Sequence, residues 1–314
     1  MQERVLGASG LRVSRLGLGL MTWGGATDEH VAREQLTAFV AAGGTLLDTA
    51  HVYSGGASEE LLGSLLREFP RDELVIATKG GFGYGRSGRV ADTSRRGLLT
   101  HLDTSLRRLG VDHVDLWQVH VWSDSAPLEE TLAALDTAVA TGRASYVGIS
   151  NWSGWRTAQA ATWQRSAPGR APLVSTQVEY SLLNRSVEHE IVPAAQELGL
   201  GLLPWSPLGR GVLTGKYRSG TPSDSRGASE MSAFVDPYRD ESSSQVVEAV
   251  VRAAEGLGWT PVEVALAWVR DRPGVTAPIV GARTTAQLQA ALASEERTLP
   301  PELTQALDDV SEGR

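Results

Sequence analysis

Three titratable residues, Asp48, Lys79 and His120, each come directly after a short apolar run in the first half of the chain. A fourth, Tyr53, follows Asp48 in the motif Asp48-Thr-Ala-His-Val-Tyr53. If the three runs are neighbouring strands, the four side chains meet at one end of a sheet. A carboxylate, an ammonium group, an imidazole and a phenol placed together can hold and transfer protons.

Each of these residues also has a structural interpretation. Asp48 alone could cap a helix or a turn, and Tyr53 alone is more often a packing residue. Lys79 and His120 are harder to explain in that way, because a cationic or titratable group at the end of a buried strand is unfavourable without a partner. His51, by contrast, is interpreted as a surface residue.

The surrounding sequence alternates between strand-like and helix-like segments. Several runs are apolar at consecutive positions, as expected for a parallel sheet covered on both faces. Alternation repeated eight times in about 290 residues favours an α/β fold of the (β/α)8 TIM-barrel type over a doubly wound sheet, although periodicity alone does not separate the two. The predicted strands are residues 16–20, 45–47, 74–78, 114–119, 146–149, 173–178, 200–203 and 277–280.

Other segments complete the predicted architecture. An N-terminal β-hairpin precedes the first strand, and Ser58 and Thr93 are predicted N-caps of the helices that follow them. Residues 217–244, after strand seven, lack a clear period and predict a long loop that is either a lid or disordered. No change in composition marks a linker, so residues 1–314 are expected to form a single domain.

Two further features carry weaker functional signals. The string Gly83-Tyr-Gly-Arg-Ser-Gly matches the dinucleotide fingerprint formally, but the helical pattern begins only near Ser94, whereas a Rossmann turn runs straight into its helix. We interpret the string as a loop. His101 is interpreted as a surface residue, and no spacing among the six histidines is typical of a metal site.

Composition restricts the partners. The net charge of −8 has no compensating basic block, so nucleic acid and anionic membranes are not expected partners, and a small molecule is favoured. The absence of cysteine excludes a disulfide framework, a thiolate zinc site and a cysteine nucleophile. No segment approaches the ~20 apolar residues of a membrane span, and we expect a cytoplasmic protein.

In a TIM barrel the active site lies at the carboxyl ends of the strands. Every predicted strand end in this chain is followed by polar or aromatic residues, and tryptophans follow four of them. A flat pocket lined by aromatic side chains is therefore expected. The tryptophans expected to line the substrate pocket are Trp23, Trp122 and Trp152.

Seven short motifs follow one another along the chain: Gly17-Leu-Gly-Leu-Met-Thr-Trp-Gly24, Asp48-Thr-Ala-His-Val-Tyr53, Glu59-Glu-Leu-Leu-Gly63, Thr78-Lys79, Gln118-Val-His120, Gly148-Ile-Ser-Asn151 and Trp205-Ser-Pro-Leu-Gly209. Taken together, they resemble the aldo-keto reductase superfamily over nearly the whole chain. The form Gly281-Ala-Arg-Thr-Thr is similar to the bacterial and potassium-channel β-subunit branches. The resemblance implies a TIM barrel without a Rossmann domain, and NADPH-dependent reduction of a carbonyl.

The resemblance places a catalytic tetrad on Asp48, Tyr53, Lys79 and His120. Tyr53 is expected to protonate the carbonyl oxygen as hydride from nicotinamide C4 reaches the carbonyl carbon. Lys79 is expected to lower the pKa of Tyr53, with burial opposing it. Asp48 is expected to keep Lys79 charged, and His120 to orient the carbonyl.

The resemblance also implies a set of contacts to NADP(H). Three residues are expected on the nicotinamide carboxamide, Trp205 on its ring, three along the pyrophosphate and three at the adenosine end, where Arg283 suits a 2′-phosphate. Ala291 lies where the family often has an asparagine that contacts adenine, which predicts a reduced affinity. In chain order the expected contacts are Ser150, Asn151, Gln177, Trp205, Ser206, Leu208, Gly211, Gly281, Arg283 and Gln287.

A second functional class shares the fold and the tetrad. The protein could be an NADP(H)-binding regulatory or redox-sensing subunit with little turnover, since channel β-subunits resemble it. No helix with an obvious interaction stripe supports that alternative. The physiological substrate and the oligomeric state are not indicated by the sequence.

Overall fold

Strands and helices alternate through most of the chain. The computed structural model describes residues 1–85, 88–223, 225–229 and 231–314. The strands are Glu3–Val5 (β1), Arg12–Ser14 (β2), Gly17–Gly19 (β3), Leu46–Asp48 (β4), Val75–Gly80 (β5), Phe82–Gly85 (β6), Gly88–Ala91 (β7), Val114–Val119 (β8), Ala144–Ser150 (β9), Leu173–Glu179 (β10), Gly201–Trp205 (β11) and Ile279–Gly281 (β12). The helices are Glu29–Ala41 (α1), Ala57–Leu65 (α2), Arg95–Leu109 (α3), Leu128–Ala140 (α4), Gly154–Arg165 (α5), Val187–Glu197 (α6), Ser232–Val235 (α7), Glu241–Leu257 (α8), Pro261–Arg270 (α9), Thr285–Leu292 (α10) and Pro301–Val310 (α11).

Within these residues, eight strands close into a parallel barrel in the order β3, β4, β5, β8, β9, β10, β11 and β12. The predicted TIM barrel and its eight strands are confirmed, with small differences at the strand ends. The predicted N-terminal hairpin is also confirmed, because β1 pairs antiparallel with β2. No helix in the described ranges is long and apolar enough to cross a membrane.

Two apolar layers hold the barrel together. One fills its interior near the amino-terminal end, where Leu46, Leu116 and Leu203 are buried against Leu6 of the hairpin segment. The larger layer lies between the strands and the surrounding helices. Successive side chains of a strand point to opposite faces, so each barrel strand contributes to both layers.

Both predicted N-caps, Ser58 and Thr93, are wrong. Helix α2 begins at Ala57 after Gly56, and Ser58 does not cap it. The buried Ser58 hydroxyl instead donates to the Leu20 carbonyl at 2.8 Å, a contact between helix and barrel that sequence alone does not show. Helix α3 is capped by Ser94 rather than by its neighbour Thr93, through a bond from the Gly97 N–H.

The segment between the last two barrel strands contains more helix than the sequence pattern indicates. Helix α8 begins at Glu241, inside the predicted long loop, and α9 follows it. Helix α9 is buried on all sides from Glu263 to Arg270, so it has no polar face to produce an amphipathic pattern. The loop itself includes the short helix α7 and packs on the barrel through the buried Val235 and Tyr238.

The described glycines of the string, Gly83, Gly85 and Gly88, lie in two strands and not in a loop. Strands β6 and β7 pair antiparallel, with Phe82 opposite Ala91. Residues 86 and 87, within the string, lie outside the described residues. The hairpin does not lead directly into a helix, as a dinucleotide-binding turn does.

Candidate active site

The four predicted catalytic residues lie together at the carboxyl ends of adjacent strands. Asp48 ends β4, Lys79 lies near the end of β5, and His120 follows β8; these three strands are consecutive in the barrel. Tyr53 lies on the short turn that leads from β4 to α2. Parallel pairing therefore brings residues that are far apart in sequence to one edge.

Lys79 is the centre of the group. Its ammonium group donates to Asp48 Oδ2 at 2.6 Å, to the Thr49 carbonyl at 2.9 Å and to the Tyr53 hydroxyl at 3.2 Å. Lys79 and Asp48 are 1% and 2% exposed. All three ammonium protons have acceptors, which offsets the cost of burying the charge.

The same contacts influence the pKa values of Lys79 and Tyr53. Burial alone would lower the pKa of Lys79, but the Asp48 carboxylate and the Tyr53 hydroxyl hold it above its ordinary value. Burial raises the pKa of Tyr53; Lys79 opposes the rise and Asp48 adds to it. The predicted lowering of the Tyr53 pKa is therefore wrong in sign, because desolvation of the tyrosinate outweighs the attraction of Lys79.

His120 forms a wall of the same site. Its ring lies edge-on to Tyr53, with 5.7 Å between centroids, and edge-on to Phe82 at 5.6 Å. Burial, and then the charge of Lys79, lower the pKa of His120 to about 3. The imidazole is consequently neutral at physiological pH.

His51 and His101 are both predicted to be surface residues, but the structure holds them in a partly buried pair. Their rings stack at 4.2 Å between centroids, and both are partly buried. The His101 Nδ1 accepts from the Gly81 N–H at 3.0 Å. The stacking therefore joins His51, on the turn that carries Tyr53, to His101 in α3.

Two of the three predicted nicotinamide residues also contact the tetrad. The Gln177 amide donates to Asp48 Oδ1 at 2.8 Å, and the Asn151 amide donates to the His120 carbonyl at 3.0 Å. Asn151 has a left-handed φ of 61° and accepts from the Trp205 indole N–H at 2.9 Å. A hydrogen-bonded wall thus runs from the tetrad to Trp205, while Ser150 is buried beside Asn151.

Left-handed backbone shapes the segment after β11. Ser206 has φ 51°, Arg210 has φ 58° and Gly211 has φ 92°. A Cβ added at Gly211 would lie 3.3 Å from the Lys216 ammonium nitrogen, so this cation lies against the bare backbone. Leu208, also predicted on the pyrophosphate, precedes this turn and is half-buried.

A positively charged cluster extends this segment. Burial, followed by the charges of Arg283 and Arg210, lowers the pKa of Arg226. The predicted phosphate-binding Arg283 therefore has a second guanidinium close to it, supplied by the long loop. Arg210 is tied to Glu179 through two bonds of 2.8 and 2.6 Å, and its Nη1 donates to the Phe234 carbonyl at 2.7 Å.

At the predicted adenosine end, Gly281 is exposed and the Gln287 side-chain oxygen accepts from the Arg283 N–H at 3.0 Å. Ala291 is 1% exposed and packs in a cluster with Leu16. The predicted reduction in cofactor affinity, which follows from the missing amide, stays a prediction.

The three tryptophans predicted to line the substrate pocket differ in exposure. Trp23 is 0% exposed and its indole donates to the Gln35 side chain in α1, so in this structure it offers no surface to a ligand. Trp152 is also buried and packs edge-on against Trp122, at 4.7 Å between centroids. Trp122 keeps accessible surface.

Sequence reasoning missed several residues of this region. Phe82 and Phe234 lie against His120 and Trp205 respectively, from a hairpin and a loop that have no periodic pattern. Lys216 and Arg226 lie in the segment after strand seven, and only its richness in arginine hinted at charge. Tertiary folding of that segment places them near Gly211 and Arg283, two residues predicted to bind the cofactor.

The TIM barrel holds a buried carboxylate and ammonium group, a partly buried phenol in contact with the ammonium group, and a neutral imidazole beside them. These are groups that can hold and transfer protons, and they lie at the carboxyl ends of the strands. Among the described residues, no group of three or more potential ligands is arranged to hold a metal ion.

Comparison with known proteins agrees with that description. The chain matches the model of the Aldo/keto reductase family over residues 15–312, and it belongs to that family. It is 36% identical to the uncharacterized oxidoreductase YrpG of Bacillus subtilis, covering 100% of this chain and 97% of the relative. It is also 36% identical to the L-glyceraldehyde 3-phosphate reductase of Escherichia coli K12, with coverages of 92% and 86%. A probable voltage-gated potassium channel subunit beta of Oryza sativa is 36% identical, with coverages of 92% and 89%.

Family membership and the oxidoreductase relatives support carbonyl reduction as the general class of reaction. Aldo/keto reductases generally use NADH or NADPH as the hydride donor.

Proposed function

We propose that the protein reduces an aldehyde or a ketone to an alcohol with NADPH as the hydride donor. The observation that carries this proposal is the buried chain of hydrogen bonds from Asp48 through Lys79 to Tyr53. Tyr53 and His120 both retain some exposed surface next to that chain, so a substrate oxygen can reach them.

NADPH, when bound, supplies hydride from nicotinamide C4 to the carbonyl carbon. Tyr53 gives its phenolic proton to the carbonyl oxygen, and its raised pKa means that this proton is present at neutral pH. Lys79, 3.2 Å away, stabilises the tyrosinate that remains. Asp48 holds Lys79 charged and oriented, and Gln177 fixes Asp48 in turn.

His120 takes a different part in the reaction. A pKa of about 3 keeps it neutral, so it is a hydrogen-bond donor to the carbonyl oxygen and not a competing acid. Its ring is held edge-on between Tyr53 and Phe82. It orients the carbonyl so that the oxygen faces the phenol.

The residues around the site fit a nicotinamide dinucleotide. The partly exposed Trp205 offers a flat surface for the ring, and the left-handed turn at Ser206 and Gly211 brings bare backbone to the pyrophosphate. The full proposed set for the carboxamide, ring, pyrophosphate and adenosine is Ser150, Asn151, Gln177, Trp205, Ser206, Leu208, Gly211, Gly281, Arg283 and Gln287.

NADPH is proposed over NADH because of the charge near Arg283. Burial, followed by the charge of Arg283, lowers the pKa of Arg226, so the two guanidinium groups belong to one positively charged region. Guanidinium groups suit a 2′-phosphate, which only NADPH carries.

The proposed substrate is a small carbonyl compound bound near Trp122, and neither nucleic acid nor a membrane is a proposed partner. We keep residues 1–314 as one proposed domain and the cytoplasm as the proposed location. The net charge of −8 supports both the small-molecule substrate and the exclusion of nucleic acid.

The proposal is tested by NADPH oxidation against a panel of aldehydes, ketones and keto-sugars. Tyr53→Phe should lower kcat by about 10²- to 10⁴-fold while NADPH binding persists, because only the transferred proton is removed. Tyr146→Phe is the matched control, since it makes the same change at the beginning of β9, at the other end of the barrel. Equal turnover of Tyr53→Phe and the wild type would contradict the assignment.

The relatives named as potassium channel subunits favour a second candidate, an NADP(H)-binding subunit with little turnover. The panel of carbonyl compounds distinguishes a reductase from such a subunit. Tight NADPH binding without oxidation of NADPH by any carbonyl would support the second candidate.

A further inference from the structure

An ion pair outside the tetrad, Glu59 with Arg108, lies behind the turn that carries Tyr53. We propose that Glu59 and Arg108 are positioning residues, which hold the Tyr53 phenol against Lys79 by clamping the backbone on both sides of Tyr53. The inference rests on the proposed function, because it explains the geometry of the same proton donor.

The turn needs an external support. Three consecutive residues after Tyr53 are left-handed: Ser54 at φ 50°, Gly55 at φ 67° and Gly56 at φ 107°. Ser54 carries a side chain, and a left-handed conformation is unfavourable for such a residue. Strained conformations of this kind persist only when the surrounding structure holds them.

Arg108 supplies that support. Its guanidinium donates to the His51 carbonyl at 2.8 Å and to the Gly55 carbonyl at 3.5 Å, two residues before and two residues after Tyr53. The group also fills the space beside Gly56, where an added Cβ would lie 2.2 Å from Arg108 Cζ. The clamp is therefore packed as well as hydrogen-bonded.

Glu59 connects this clamp to the strand of Lys79. It is 0% exposed, and its Oε2 accepts from Arg108 at 3.2 Å. Its Oε1 accepts from the Thr78 hydroxyl at 2.7 Å, and Thr78 immediately precedes Lys79. One buried carboxylate thus sets the position of the Tyr53 backbone relative to the Lys79 backbone, and the 3.2 Å contact between their side chains depends on that position.

The stacked histidines complete the support. His51 lies on the turn, its ring stacks on His101, and Arg108 approaches His51 Nδ1 at 3.4 Å. Burial, the neighbouring His101 and Arg108 lower the pKa of His51 to about 4, which keeps the ring neutral. A neutral ring can pack against the guanidinium without repulsion.

A matched ion pair exists at the opposite end of the barrel. Arg71 bonds Asp115 Oδ2 at 2.7 Å and donates to the carbonyls of Leu74 at 2.9 Å and His113 at 3.4 Å. It is also an arginine that joins a carboxylate to loop carbonyls, but those loops lead into the beginnings of β5 and β8. Arg71→Gln is therefore the control for a purely structural loss.

The first experiment compares Arg108→Gln, Arg108→Lys and Arg71→Gln by steady-state NADPH oxidation, NADPH affinity and thermal unfolding. Arg108→Gln should lower kcat by about 10- to 100-fold, with KM and NADPH affinity unchanged, because the proton donor is displaced and not the binding surface. Arg108→Lys should recover part of the loss, and Arg71→Gln should lower stability alone. A wild-type kcat for Arg108→Gln, or an equal loss of kcat in Arg71→Gln, would overturn the proposal.

The second experiment does not depend on turnover. NMR of the protein labelled with ¹³C at the tyrosine ring carbons, assigned with Tyr53→Phe, reports the pKa of Tyr53 directly. In Arg108→Gln and in Glu59→Gln this pKa should differ from the wild-type value, because the loosened phenol gains water, which lowers the pKa, and loses its contact with Lys79, which raises it. An unchanged Tyr53 titration in both variants would overturn the proposal even if the protein reduces no carbonyl.

The two proposals therefore fail separately. A wild type without carbonyl reduction contradicts the proposed function alone, provided that the Tyr53 titration still responds to Arg108. Glu59→Gln keeps the size of the buried side chain, so the titration can be read if an arginine variant does not fold.

Discussion

The two ends of the barrel are built from the same strands but filled with different chemistry. At the amino-terminal end, the interior is apolar, with Leu46 and Leu116 fully buried. At the carboxyl end, the same two strands lead to Asp48 and His120. Hydrophobic burial stabilises the first end, whereas buried charge and left-handed backbone shape the second. The comparison indicates that stability and chemistry are separated along each strand.

The largest expected effect on chemistry comes from Lys79→Met. This change removes the cation between Asp48 and Tyr53, and we expect kcat to fall by about 10²- to 10⁴-fold. Steady-state NADPH oxidation measures the loss, and NADPH affinity serves as its internal control. A kcat close to that of the wild type would show that the two ends do not differ in function.

Leu116→Ala tests the other end of β8. The residue is 0% exposed in the barrel interior, and its truncation should cost about 2–5 kcal/mol of unfolding free energy, measured in urea. The kcat of the folded protein should be unchanged. Val5→Ala, at an exposed position near the same end, should change stability by less than about 0.5 kcal/mol. A large loss of kcat in Leu116→Ala would contradict the separation.

Charge at the cofactor end should affect affinity and leave stability nearly unchanged. Arg283→Ala should weaken NADPH binding by about 10- to 100-fold, the range expected for charged hydrogen bonds, and NADH binding far less. Arg226→Gln should act in the same direction. Arg218→Gln, an exposed arginine of the same loop, is the control. An equal loss of affinity for NADPH and for NADH in Arg283→Ala would contradict a contact between Arg283 and the 2′-phosphate.

His120 should make the carboxyl end sensitive to acid. Its folded-state pKa of about 3 lies below the ordinary value of 6.5, so the unfolded chain takes up the proton first, and stability is lost as pH falls from about 6.5 toward about 3. At about pH 5 the loss from this group is about 2 kcal/mol. Urea unfolding of the wild type and His120→Asn at neutral pH and at about pH 5 measures the difference. An identical pH dependence in both would contradict the low pKa.

The sequence predicts the barrel, and the meeting of Asp48, Lys79 and His120 at one end of it, for a physical reason. Buried parallel strands produce apolar runs, and the chemistry at their ends interrupts these runs with charge. Asp48, Lys79 and His120 are therefore visible without a structure. Helix α9 is not, because it is buried on every side and has no amphipathic period.

The sequence does not predict the tertiary contacts between segments that lack a hydrophobic period. The buried Trp23 indole bonds Gln35 in α1, and the link from Gln177 to Asp48 joins residues on separate strands. The sign of the Tyr53 pKa shift depends on how completely the phenol is desolvated, which is a property of the packed site.

The tight fit between Gly56 and Arg108 constrains how the chain can diverge. Any side chain at position 56 would meet the guanidinium, and the φ of 107° already disfavours one. Substitutions at the two positions are therefore expected to be coupled during evolution. A homologue that replaces this glycine must also abandon the arginine clamp and hold its tyrosine by other contacts.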